Sequence, residues 1–253
     1  MATALGFAAY DTRDRNFFFG FVIVAWSGVA LGFAPPSWGR FNGQADYPAP
    51  MVLQLHAGLY LLWMVLLTAQ VLLIRTRRQH VHRRLGLSAA AMIPAMVLTG
   101  LFAEGYSQRH YLGHPPDSQA FFIIPLFYVA AFGAVATMAV LKRREPAAHK
   151  RLIYLATSVI VGAAWTRSIG GPLTAVFGDG YFGMIVNTFT STNLLFAALL
   201  LFDWRTRGRL HPVGLTVVPA LVACEFVVSW IYHSPGWLPV ARSIAASMPG
   251  PAF

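Results

Sequence analysis

His56, Tyr60, Trp63 and Gln70 follow one another at intervals of four, three and seven residues. On a helix that spacing puts all four on one stripe. Further polar groups interrupt stretches that are otherwise apolar: Glu104, Arg167, Asn187, Thr190, Asn193 and Glu225. An ionisable group inside a membrane span costs on the order of 3 kcal/mol and faces a bundle interior or a watery cavity. Arg167 and Glu225 have similar expected depth and opposite sign, so they are expected to pair. The pocket this predicts is outward-opening and lined by His56, Tyr60, Trp63, Arg167, Asn187 and Glu225. Its guanidinium suits a carboxylate or phosphate. The same residues serve equally well as an internal network that fixes helix packing.

The histidines suggest a second chemistry. His82, His149 and His211 each fall just where an apolar stretch follows a basic turn. Imidazole ligates zinc, copper, iron and haem iron. His56 with His233 could hold an outer haem b, and two of His82, His149 and His211 an inner one. That arrangement would make an electron conduit across the bilayer. Against it, a histidine beside Arg or Lys at a helix end is an ordinary interfacial residue. The spacing also carries no local metal signature. His80, His110 and His114 complete the set.

The elements that must position these groups are read from composition. The chain has 253 residues, 57% hydrophobic and only 11% charged. Soluble domains carry roughly 25% charged residues, so this chain cannot clothe a globular surface in polar groups. About 20 apolar residues cross a hydrocarbon core. Seven stretches qualify: 17–34, 51–74, 85–102, 120–141, 152–170, 181–202 and 213–232. Only short polar turns separate them, which predicts a single all-α transmembrane domain. These runs are too long and too evenly apolar for barrel strands.

Charge sets the expected orientation. Fifteen of the nineteen basic residues fall before the first span or in the turns after the second, fourth and sixth. Arg40, Arg109 and Arg242 fall on the other side. The basic side is expected in the cytoplasm, giving an inner N-terminus, an outer C-terminus and a place in a bacterial inner membrane. The net charge of +10 then reflects topology and anionic lipid rather than nucleic-acid binding. The first apolar run ends at Ala-Pro-Pro-Ser-Trp rather than at a small-residue cleavage site, so it reads as an uncleaved span. Cys224, the one cysteine, allows no intrachain disulfide and reads as a small buried apolar residue.

The basic turns are related to one another. Ile74–Leu85 aligns without gaps on Leu141–Leu152, with His82 on His149. Arg205–Pro212 echoes the first with one residue deleted, and His211 takes the equivalent place. The spans therefore pair as three hairpins, second with third, fourth with fifth and sixth with seventh, beside a lone first span. The His-Arg-Arg-Leu-Gly at 82–86, the Ala-His-Lys-Arg-Leu at 148–152, the Arg-Leu-His-Pro at 209–212 and Trp63 resemble a family of uncharacterised bacterial multi-pass membrane proteins. The resemblance runs from the second span to the last. It implies the topology and no activity.

Some chemistries are excluded. A retinal Schiff base needs a buried lysine within a span, and Lys142 and Lys150 both fall in a turn. No Walker loop, dinucleotide turn, HExxH or Gly-x-Ser-x-Gly occurs. Three readings stay open. One is a redox protein holding haem b or a transition metal. Another is a binding or transport protein for a small anion. The third is an accessory subunit packed against other membrane proteins or further copies of itself.

Overall fold

The computed structural model describes residues 7–45, 47, 49–113 and 119–248; His114 lies outside them. Among the described residues there is no strand. The helices are α1 (Asp14–Phe41), α2 (Met51–Arg75), α3 (Gln79–Gly86), α4 (Ser88–His110), α5 (Ile123–Leu141), α6 (Pro146–Phe177), α7 (Tyr181–Arg207), α8 (Pro212–Tyr232) and α9 (Trp237–Ser247). A 3-10 turn, Gln119–Phe122, leads into α5. Counting α3 and α4 as one span and joining the turn to α5, seven helices are long and apolar enough to cross a membrane. The seven-span helical bundle expected from hydropathy is therefore present.

Helix α6 is the hub. It packs against α1, α5, α7 and α8, while α2 and α4 close the bundle between α1 and α5. The core runs through Trp63, Met96, Phe132, Leu155, Phe189 and Phe196. Large apolar side chains such as Ile23, Leu62, Leu98, Phe182, Leu194 and Trp230 remain exposed on the outside. A surface of that kind matches hydrocarbon, where leucine is as comfortable as in a core. The helices of each expected hairpin do pack on one another: α2 on α4, α5 on α6 and α7 on α8.

Several boundaries differ from the hydropathy reading. Helix α1 continues through Pro35 and Pro36 to Phe41, past the expected end at residue 34. Proline's fixed φ is helical, so the helix survives at the cost of two internal hydrogen bonds. Helix α6 begins at Pro146, which occupies the first turn where a missing N–H costs nothing. Lys150 and Arg151 are thus helical, not turn residues. Helix α7 closes on Gly208, whose φ of 66° is the left-handed cap that glycine tolerates best. Helix α9 was not foreshadowed: eleven residues are too few for a span, and it packs on the 3-10 turn, α4 and α8. Cys224 is exposed on the bundle surface rather than buried; its place on α8 turns it away from the core.

Candidate functional site

Glycines bring α1 and α6 together. A Cβ on Gly32 would overlap the Ala164 carbonyl oxygen, and one on Gly28 would overlap the Trp165 indole. Just beyond this close approach an open groove of about 590 Å³ forms, lined by Leu31, Gly32, Pro35 and Pro36 of α1 and by Arg167 and Ser168 of α6. The α1 residues fall at successive turns of one face, so the groove wall is apolar.

Arg167 is the charged group in this wall. Its Nη1 donates to the Ala163 carbonyl at 2.8 Å, one turn back on its own helix. Its guanidinium lies over the Phe33 ring at 4.6 Å. Among the described residues no carboxylate lies within ion-pairing distance of it, although Glu104 acts on it electrostatically from further away. Beside it, Ser168 Oγ is buried without a hydrogen-bond partner. His56, on α2, is near enough to feel the Arg167 charge. Its ring packs on Tyr60 at 4.2 Å, and its buried Nδ1 is unpartnered.

The expected Arg167–Glu225 pair does not form. Glu225 is 1% exposed and accepts a 2.7 Å hydrogen bond from Asn193 Nδ2. It faces α7, whereas Arg167 faces α1. Similar depth could not bring them together, because the two side chains leave their helices in different directions. Asn187 also leaves the expected pocket: its Nδ2 donates to the Gly178 carbonyl at 2.8 Å and ties the α6–α7 turn. Trp63 is 3% exposed and donates to Thr157 Oγ1 at 3.2 Å, so it belongs to the core. Of the six residues expected to line one pocket, His56 packs on Tyr60 and feels the Arg167 charge, and Arg167 alone lines the groove.

The histidines divide differently. His82 and His149 meet, with ring centres 6.4 Å apart and planes at 85°. His211 does not join them. It caps α8, its Nδ1 accepting from the Val213 N–H at 3.1 Å. The Phe7 ring packs edge-on against it at 4.7 Å. Burial and the nearby Arg151 charge push the His211 imidazole down to about 4. His233 lies beyond α8 with its ring nitrogens 2.8 and 3.1 Å from the Ser229 and Asp179 carbonyls, so the structure does not offer it as a partner for His56. Among the described residues no group of three or more His, Cys, Asp or Glu side chains converges on a metal position.

A cluster not visible in the sequence closes the end that carries the basic turns. Arg151 donates to both Asp203 carboxylate oxygens, through Nε at 2.7 Å and through Nη2. Asp14 accepts from Lys150 at 2.7 Å and from Arg207 at 2.8 Å. The Phe7 ring lies under both guanidinium groups, at 4.5 and 5.1 Å. Sequence spacing gives no hint of this, because the partners are far apart in the chain and read individually as topological charges.

No protein family, curated protein or solved structure matches the chain. Its fold and site define a class: a seven-span helical membrane protein in which Arg167, without a carboxylate partner within ion-pairing distance among the described residues, lines a groove between two helices.

Proposed function

We propose that this chain is a bacterial inner-membrane protein that binds a small amphiphilic anion, with Arg167 holding a carboxylate or phosphate and the α1 wall holding the apolar part. One observation carries the reading: a guanidinium within a span, bonded only to its own helix among the described residues, faces an open groove of about 590 Å³. Arginine in a span is costly enough to need a compensating partner, and an anion supplies one with bidentate geometry. The unpartnered Ser168 hydroxyl adds a donor beside it. The excess of basic residues on the side of the N-terminus supports an inward N-terminus. Reporter fusions in the Arg75–Arg84 turn should report the cytoplasm.

The binding test uses purified protein in an uncharged detergent. Oleate and dioleoyl phosphatidic acid, at concentrations near 100 times their dissociation constants, should raise stability by about 2.7 kcal/mol. Uncharged monoolein should not, and Arg167→Ala should abolish the shift. Equal stabilisation by monoolein, or a shift that survives Arg167→Ala, overturns the reading.

A redox reading keeps the His82–His149 contact as its structural support. A Soret band in the purified protein, lost in His149→Ala, would favour haem over the anion site.

A further inference from the structure

We propose that His82 and His149 form a two-coordinate binding site for monovalent copper, independent of the Arg167 groove. The geometry starts from the separation of 6.4 Å between ring centres. A metal–imidazole bond of about 2.0–2.1 Å, plus roughly 1.1 Å from nitrogen to ring centre, places a ligated ion about 3.2 Å from each centre. An ion midway between the ring centres, with one nitrogen of each ring turned toward it, meets that distance on both sides. Perpendicular ring planes do not hinder it.

A backbone carbonyl holds the His149 ring, and each ring has a nitrogen with no hydrogen bond among the described residues. His149 Nδ1 is 2.8 Å from the Ala139 carbonyl, and no hydrogen bond to its Nε2 occurs among the described residues. The Gln70 backbone acts on the His82 ring, whose Nδ1 is buried with no partner. A carbonyl on the far nitrogen fixes the tautomer and aim of a ligating histidine. An interfacial histidine facing headgroups needs no such arrangement.

The donor set selects the ion. Both ligands are neutral, no third His, Cys, Asp or Glu joins them among the described residues, and the Arg83 charge acts on His82. A dication is poorly compensated here. A closed-shell monocation that accepts two nitrogens in a line fits, and imidazole lies within the ligand range of copper. The turn repeat gives the site an origin: His82 and His149 hold equivalent places in two related turns, and folding brings those two together while His211 is used as a cap.

The test loads the full-length protein anaerobically in detergent with Cu⁺ supplied as its bicinchoninate complex. One copper per chain should transfer, with the X-ray absorption edge of a linear two-coordinate site. H82A and H149A should each weaken retention at least 100-fold, while H80A should retain copper like the parent. If either alanine variant loses its monodisperse elution, H82Q or H149Q replaces it. Failure of the parent protein to take copper from bicinchoninate overturns the proposal. So does parent-like retention in the His82 and His149 variants, a three- or four-coordinate edge, or displacement of Cu⁺ by equimolar Zn²⁺.

Discussion

Arg151 and Asp203 form a bidentate ion pair in which both side chains are 0% exposed. Desolvating two charges is expensive, so such a pair contributes little over an apolar replacement, yet breaking it from one side is severe. Asp203→Asn should therefore lower stability by about 3–5 kcal/mol, measured as thermal unfolding in detergent. The double replacement Arg151→Met with Asp203→Leu should recover most of that loss. A double variant as unstable as Asp203→Asn would show that Arg151 is needed for its Ala147 and Phe7 contacts rather than for its charge.

Gly32 permits the close approach that precedes the groove. Gly32→Ala forces α1 away from the Ala164 carbonyl and should cost about 1–3 kcal/mol, the usual range for overpacking. Gly171→Ala, where a Cβ meets nothing within 4 Å, should be neutral or stabilising by up to about 1 kcal/mol through helix propensity. The two melting curves, compared side by side, separate packing from propensity.

His211 makes stability depend on pH. Its imidazole is held near 4 in the folded chain against 6.5 ordinarily, so the unfolded chain binds the proton more readily. Its stabilisation is complete above about 6.5 and is lost as pH falls from there toward 4. His211→Asn keeps a capping side chain and removes the titration. Unfolding midpoints measured from pH 7 to 4 should fall less steeply in the variant than in the parent.

Glu225 accepts from Asn193 within an apolar span. Glu225→Gln retains an acceptor oxygen and should leave the melting temperature unchanged or raise it. Glu225→Leu strands the Asn193 amide and should cost about 0.6–2 kcal/mol, the range for interhelical hydrogen bonds in membranes. Greater damage from Gln than from Leu would contradict this account.

The spans were legible because hydrocarbon demands long uniform runs, and Leu59–Leu73 or Ile123–Leu141 can serve little else. Helix ends were less legible. Pro35-Pro36 looked like a stop, and Lys142–Arg151 looked like one turn although helix begins at Pro146. Depth along a span could be counted, which is why Arg167 and Glu225 were expected to pair. Direction around the helix could not, because it depends on which neighbour each face meets. The same gap hid Arg151–Asp203, whose members are 52 positions apart, and left unresolved which two of three equivalent histidines would touch.

Asp14 opens the first helix, yet its partners Lys150 and Arg207 follow 136 and 193 positions later. A chain made from its N-terminus must therefore insert α1 with that carboxylate uncompensated until α6 brings Lys150, and complete its partners only once α7 has emerged. Closure of this end is then a late event in biosynthesis, one that waits for nearly the whole polypeptide. A ribosome-released fragment ending after α5 would carry the aspartate with neither of its cations, and quality-control proteases would meet it as an open form.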